Sequence, residues 1–264
     1  MTNRCNAVLR YLVGAFLALV FAGIPVLAEG DVFGFEPEYW DQSMSGTVAV
    51  DGDTLPGSEI DLQDDLGLEA TDKHAIGRFW IHWMKRNSLI FTMGHSNRHG
   101  DQVLTNPIDF DDQSFLAGEQ VQSRVETDLK SLLYNYDVLN KQVFKLGLRV
   151  GVDWLGFDAT LDSVTTPTHA ERSESVTIPA AGIGIVFEPI PLLRFLGEIN
   201  GSGGHISGND VTFYDARLQA EIYWSHYYGI TAGYRRVKID AVVESTGKVN
   251  LNQKGPYAGF IIRF

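Results

Sequence analysis

The sequence predicts an all-β fold: a transmembrane up-and-down antiparallel β-barrel of about ten strands, with eight or twelve strands as alternatives. Two observations support this. From Val32 onward, apolar and polar residues alternate in long segments joined by alternately short and long connections. Each segment also has at least the roughly nine to eleven residues that a tilted membrane strand needs. No apolar run after the first thirty or so residues is long enough for a spanning helix, so a membrane-embedded chain would have to be a barrel.

The predicted strands follow directly from these segments. They cover residues 32–50, 73–84, 88–98, 119–139, 142–162, 174–188, 192–206, 211–226, 229–243 and 249–264. Short joints fall at residues 85–87, 140–141, 189–191 and 227–228, whereas the longer links 51–72, 99–118 and 163–173 lie at the other end. This asymmetry is typical of membrane barrels, which have short turns at one end and long loops at the other.

The alternation within single segments indicates which face each residue occupies. In residues 142–155 one row is Phe144, Leu146, Leu148, Val150, Val152 and Trp154, and the other row includes Lys145, Arg149 and Asp153. Side chains at period two point to opposite faces of a strand. We therefore expect the apolar row to face lipid and the charged row to face the lumen. Aromatic residues beside the short joints are expected to form an interfacial girdle.

The last predicted strand carries a family resemblance. Pro256, Ala258, Phe260, Ile262 and Phe264 form an apolar row that ends on an aromatic residue. This ending resembles that of bacterial outer-membrane β-barrels, whose final strand closes the barrel against the first. The resemblance is to small OmpA-like or porin-like barrels of Gram-negative bacteria, with no specific member identified. It implies an outer-membrane location, contact with outer-membrane lipid and lipopolysaccharide, and recognition of Phe260, Ile262 and Phe264 by the barrel-assembly machinery.

The first 28 residues have the pattern of a secretory signal peptide. Arg4 and Arg10 precede an apolar run that ends at Ala28 after small side chains, and acidic Glu29 follows. We expect residues 29–264 to form a single barrel domain. The only cysteine, Cys5, lies in the signal segment, so the mature chain is expected to have no disulfide, no cysteine metal site and no cofactor.

The mature chain is expected to be strongly acidic. Without Arg4 and Arg10, 19 basic residues face 33 acidic ones, which gives a net charge of about −14. The surplus lies mainly in residues 51–72 and 99–119. A nucleic-acid partner is excluded on this basis, because binding a phosphate backbone needs a basic surface.

The charged row predicts a polar lumen. Its members are Arg78, Arg124, Glu126, Asp128, Lys130, Lys145, Arg149, Asp153, Arg194, Glu198, Asp215, Arg217, Glu221 and Arg235, together with His82 and Arg263. Charges inside a barrel of this width must pair or be solvated. They could form a structural salt-bridge core or line a narrow polar conduit.

The first acidic link invites a metal hypothesis. Asp51, Asp53, Asp64 and Asp65 are candidate ligands, but their spacing is not that of an EF-hand. We expect a solvated loop, bridged to lipopolysaccharide phosphates by divalent cations.

Two kinds of barrel enzyme require particular residues that can be sought in the sequence. A likeness to lipid A deacylases needs His and Ser on one strand face, but His95 and Ser96 are adjacent and point to opposite faces. A likeness to the ten-stranded omptin proteases needs Asp–Asp and Asp–His couples at the outer rim. Candidates for these couples are Asp109, Asp111, Asp112, His95, His99 and His205, without a matching spacing.

The sequence therefore predicts first a non-enzymatic surface protein with a structural or binding role through acidic outer loops. A narrow, cation-preferring diffusion channel is the alternative. A barrel enzyme acting on lipid A or peptides is the third possibility.

Overall fold

The computed structural model describes residues 32–206, 209–243 and 247–264. The predicted signal peptide lies outside these residues. Within the described part of the chain, no helix is long and apolar enough to cross a membrane.

Ten long antiparallel strands close into a barrel. They are β1 (Phe33–Val50), β3 (Thr71–Met84), β4 (Asn87–Val103), β7 (Gln120–Asn140), β8 (Phe144–Ser163), β9 (His169–Ile190), β10 (Leu193–Ile206), β11 (Asn209–Tyr223), β12 (Tyr228–Val243) and β13 (Gly247–Arg263). Each strand pairs with the next long strand, and β13 closes the barrel on β1. The predicted fold class and number of strands are confirmed.

Three short strands lie in the long connections. β2 (Ile60–Asp61) pairs with β1, whereas β5 (Ile108–Phe110) and β6 (Gln113–Phe115) form a separate hairpin. We call the segments 51–70 and 104–119 together the cap, and the end of the barrel that carries them the cap end. The opposite end, with connections 85–86, 141–143, 191–192 and 224–227, is the turn end. The predicted long link at 163–173 was wrong, because β9 already begins at His169.

The polarity of the wall inverts along the barrel. Near the turn end the outer face is apolar, with Leu148, Ile183 and Leu218 exposed, and the inner face is charged. Near the cap end the inner face is the apolar one, since Val125 and Leu161 are buried inside the barrel. The turn-end half thus fits a lipid surround, and the cap-end half is built like a water-soluble β-barrel with an apolar core.

Aromatic residues ring the turn end, as the sequence predicted. Trp83 stacks on Tyr134, and Phe187 stacks on Phe195 across neighbouring strands. Tyr227 packs on Phe264, whose ring also stacks on Phe33 at a centroid distance of 5.0 Å. The amide of Phe264 donates to the carbonyl of Phe33, so the last residue closes the barrel against the first strand.

Candidate functional site: the barrel interior and its cap

An ion-paired network fills the interior of the turn-end half. Glu198 on β10 accepts two hydrogen bonds from Arg78 on β3, at 3.0 and 2.9 Å, and a third from Arg149 on β8, at 2.5 Å. In the closed ring of ten long strands β3 lies opposite β10, whereas β8 is separated from β10 only by β9. The three charges therefore bridge the lumen instead of lining an open one.

A second group continues the network across the lumen. Arg217 donates two hydrogen bonds to Glu38, and its guanidinium lies 4.8 Å from the ring centroid of Tyr257. The hydroxyl of Tyr257 donates to Gln219, whose amide in turn donates to Glu36. Buried charges are stable only when paired with good geometry, and bidentate Arg–carboxylate pairs provide that geometry.

Ten of the fourteen charged residues predicted for the lumen lie on the inner face of the barrel wall. The structure places the inward ones at Arg78, Lys145, Arg149, Asp153, Arg194, Glu198, Asp215, Arg217, Glu221 and Arg235. Arg235 binds Asp215 at 2.9 and 2.6 Å and lies over the ring of Trp40. The space left among these side chains at the turn end is a cavity of about 70 Å³.

The other four members, all on β7, were assigned to the wrong face. Arg124, Glu126, Asp128 and Lys130 lie on the outer surface, and their neighbours Val125 and Ser131 point inward. The reason is the inversion of polarity. In this part of β7 the charged row faces water outside the barrel, whereas further along, Leu132 and Tyr136 bring apolar side chains to the same outer face.

The cap seals the other half of the interior. The first cap segment was expected to be a solvated loop, but Ile60, Leu62, Leu66 and Leu68 are almost completely buried, at 0–3% exposure. They pack in one apolar cluster with side chains of the barrel wall and of the hairpin β5–β6. The backbone of Leu66 is held by Ser123 on β7, whose hydroxyl donates to its carbonyl at 3.0 Å.

Acidic side chains organise the first cap segment. Asp61 accepts hydrogen bonds from the amides of Gln63 and Asp64 and so caps a single helical turn, which ends at Gly67 with φ +63°. Asp65 accepts the amide of Asp61. These carboxylates therefore stabilise the local fold of the cap.

Asp112 joins the two cap segments. It lies in the two-residue turn of the β5–β6 hairpin, where Asp111 and Asp112 both have positive φ, as a type I′ turn requires. Its carboxylate accepts the amides of Asp53, Thr54 and Leu55 and the hydroxyl of Thr54. The hydrogen bonds from Thr54, with those from Leu55 and Asp53, lower the pKa of Asp112 from 3.8 to about 2.

The candidate metal ligands do not converge. Among the described residues, no group of three or more His, Cys, Asp or Glu side chains is placed to hold a metal ion. Asp51 instead accepts the amide of Gly57, and Asp65 that of Asp61.

The candidate catalytic couples are also not assembled as the omptin likeness would require. Asp109 accepts the hydroxyl of Ser114, Asp111 pairs with Arg172, and Asp112 binds the first cap segment. His95 contacts Asp128 at 3.3 Å on the outer surface of β4 and β7, while neighbouring Ser96 points inward to Asp72. His99 lies on the outer face, and the side chain of His205 is outside the described residues.

Several residues of the interior network were absent from the sequence prediction. Glu36 and Glu38 lie on β1 and are 2% and 3% exposed. Their inward position could have been predicted, because they alternate with Phe35, Pro37 and Tyr39 at the period of a strand. Gln219 shares its row with Arg217 and Glu221, so the alternation of β11 already predicts that it points inward. Tyr257 lies on the same row of β13 as Arg263 and is predicted to point inward in the same way.

Comparison with known proteins supports the fold. No family model and no curated protein matches the chain. Among solved structures, the outer-membrane protease OmpT of Escherichia coli superposes with a TM-score of 0.60 at 12% identity, covering 92% of this chain and 100% of that one. The fold is that of an outer-membrane β-barrel. At this identity, the likeness of the two outer-membrane barrels concerns the fold alone.

Two further outer-membrane barrels are similar at lower scores. The translocator domain of the autotransporter NalP from Neisseria meningitidis gives a TM-score of 0.48 at 11% identity, covering 99% of this chain and 98% of that one. Ail of Yersinia pestis gives 0.41 at 10% identity, covering 88% and 99%.

Proposed function

We propose that the protein is a non-enzymatic outer-membrane surface protein with a closed lumen, and that its structural or binding role is carried by the acidic cap. The observation that supports this is a lumen filled at two levels. Ion-paired side chains occupy the turn-end half, and apolar side chains of the wall and cap occupy the cap-end half. A diffusion channel needs a continuous aqueous path, and side chains packed across the lumen at both levels argue against one.

The orientation follows from the same polarity. The exposed apolar outer face of the turn-end half is suited to lipid, and the polar outer face beyond it is suited to water. Short turns lie on the periplasmic side of membrane barrels and long loops on the outside. The cap therefore faces the cell exterior.

The partners proposed for the cap are charged lipid headgroups. Asp53, Glu59, Asp64 and Glu69 remain exposed on it. Carboxylates favour hard divalent cations, which can bridge them to the phosphates of lipopolysaccharide. At the turn end, the apolar row of the last strand, which finishes at Phe264, is the segment that the barrel-assembly machinery would recognise.

Single-channel conductance of the refolded protein in a planar bilayer tests the closed lumen, with heat-modifiable migration as the control for folding. We expect a silent bilayer. Steady cation-selective steps from the unmodified protein would overturn the proposal in favour of a channel. A positive control removes both seals. It replaces residues 52–69 and 105–118 with short glycine-serine linkers and carries Arg78→Ala, Glu198→Ala and Arg217→Ala, and it should conduct.

The role of the acidic cap needs a separate measurement. In bilayers with a lipopolysaccharide outer leaflet, millimolar Ca²⁺ should slow hydrogen exchange in residues 51–70. The triple variant Asp53→Asn, Glu59→Gln, Asp64→Asn, whose side chains keep their size, should not respond. If Ca²⁺ slows hydrogen exchange equally in the unmodified protein and in the triple variant, these carboxylates do not bridge to lipopolysaccharide through cations.

A further inference from the structure

One wall of the barrel contains a strand with an open side. β9 pairs with β8 from His169 onward, but it pairs with β10 only from Ala181 onward. Residues 169–180 are therefore bonded on one side. Among the described residues, no backbone hydrogen bond reaches their other side. At about 3.3 Å per residue, this open edge is roughly 40 Å long.

The direction of the backbone groups on this edge can be assigned. The amide of Ser163 donates to the carbonyl of Thr168, and the amide of Glu188 donates to the carbonyl of Val143. Even-numbered positions of β9 thus direct their polar groups towards β8. Backbone groups alternate sides along a strand, so the amides and carbonyls of the odd positions face the open side. These positions are Glu171, Ser173, Ser175 and Thr177.

Pro179 marks the lower limit of the edge. It is an odd position opposite Val152 of β8, so its nitrogen faces the open side. Proline has no N–H group and is confined to edges within sheets. From Pro179 towards the turn end, the outer face of β9 is apolar and carries Ile183 and Ile185. From Pro179 towards the cap end, the outer face is polar and carries the exposed side chains of Ser175 and Ser173. The edge therefore lacks a donor where lipid begins and has unpaired donors where water can reach them.

A crevice lies at the foot of the edge. It is shallow and wide open, and it is bounded by β9, β10 and β11. Asn200 lines it and is only 5% exposed, yet its side-chain oxygen has no hydrogen-bond partner among the described residues. A buried acceptor of this kind favours a ligand that brings an N–H group.

We propose that the open edge of β9 binds an extended peptide segment by strand addition. Backbone hydrogen bonds to an edge give affinity in this mode, and alternate side chains give specificity. On the inner face of the barrel the open edge carries the apolar side chains of Val176 and Ile178, and on the outer face it carries the carboxylate of Glu171. The fitting partner is a segment in which apolar residues alternate with basic ones. This inference goes beyond the proposed function, because it adds a binding surface separate from the acidic cap segments.

A second copy of the chain is a less suitable occupant. Two copies in one membrane, related by a two-fold axis along its normal, would place identical residues at the same level. Glu171 would then lie beside Glu171, and Glu174 beside Glu174. Like charges directly opposite each other destabilise strand pairing.

The test uses the full-length folded protein in nanodiscs and a fluorescent peptide of about eight alternating Val and Lys residues, a typical strand length. We expect saturable binding. Binding should weaken at least tenfold when every second peptide amide is N-methylated on the bonding side. Ser175→Pro, which removes an edge donor, should weaken it similarly, whereas Ser175→Ala, which keeps the donor, should not.

The contrary outcomes are distinct. No binding of the unmodified peptide, or equal binding of the N-methylated peptide, would overturn strand addition. If the triple cap variant abolishes binding while Ser175→Pro leaves it unchanged, the acidic cap is the binding surface and the inference fails while the proposed function stands. Self-association that Ser175→Pro abolishes would assign the edge to a second copy instead. Heat-modifiable migration confirms that each variant is folded.

Discussion

Arg217 on β11 donates two parallel hydrogen bonds to Glu38 on β1, with nitrogen–oxygen distances of 2.6 and 2.8 Å. Strands β12 and β13 lie between β11 and β1 in the wall, so the pair connects strands that share no ladder. Both side chains are buried. Because neither charge has access to bulk water, each depends on the other, and the pair fixes the distance between two parts of the wall.

Glu38→Ala should lower the free energy of unfolding by about 3–5 kcal/mol, because it leaves the guanidinium of Arg217 buried without its main partner. Urea titration of the protein folded into bilayers measures the change. The double variant Glu38→Leu, Arg217→Met removes both charges and keeps the volume, so it should lose less than Glu38→Ala alone. A double variant that is less stable than the single one would contradict this account of the pair.

The matched control is the ion pair between Arg124 and Glu126 on the outer surface of β7. Its members are 51% and 25% exposed, so water already solvates both charges. Glu126→Ala should change the free energy of unfolding by no more than about 1 kcal/mol. A loss as large as that of Glu38→Ala would show that the assignment of these residues to the outer surface is wrong.

Leu66→Ala should open the cap without unfolding the barrel. Leu66 is 1% exposed in the apolar cluster of the cap, and truncating such a side chain typically removes about 2–5 kcal/mol. Hydrogen exchange should accelerate in residues 60–68 and remain slow in β8. Leu55→Ala is the control within the same segment, since Leu55 is 41% exposed. Equal acceleration in both variants would refute the packed cap.

The strands of this barrel could be predicted from the sequence because the outer row near the turn end alternates strictly with the inner one. β7 shows where that reasoning fails. It assumes that the charged row faces the lumen over the whole strand, which holds only where lipid lies outside. Beyond the lipid, water is outside and the requirement reverses, so Arg124 and Glu126 belong to the outer face. A single strand has lipid outside it over one part and water outside it over the other. Its alternation of charged and apolar residues does not show where the lipid ends.

The cap could be predicted only in part. Its acidic residues dominate the composition of residues 51–72, but Ile60, Leu62, Leu66 and Leu68 stand among them. Apolar residues at this density indicate a buried face even within a charged loop. What they pack against depends on β7, β8 and the β5–β6 hairpin, which are distant in sequence. The contacts of Asp112 are equally non-local, since its partners lie 57 to 59 residues away.

Asp112 makes the cap sensitive to strong acid. Its pKa is lowered to about 2 in the folded protein by the hydrogen bonds it accepts, against an ordinary value of 3.8. A lowered pKa contributes stability that is present above 3.8 and is lost as the pH falls through about 2. The protection factors of the amides of residues 53–55, measured against the intrinsic exchange rate at each pH, should therefore fall over this interval. Asp112→Asn should show fast exchange at neutral pH and a much smaller pH response; an unchanged response would contradict the role of this carboxylate.

Cysteine labelling of intact cells tests the orientation on which the proposed function depends. Leu116 is 62% exposed in the cap, and Lys141 is exposed in a turn at the opposite end. The chain's only cysteine, Cys5, lies in the predicted signal peptide, so each introduced thiol should be the only one in the mature protein. A membrane-impermeant maleimide should label Leu116→Cys on intact cells and Lys141→Cys only after the outer membrane is permeabilised. The opposite pattern would place the cap in the periplasm, where its acidic side chains and the open edge of β9 would meet periplasmic partners instead of the cell exterior.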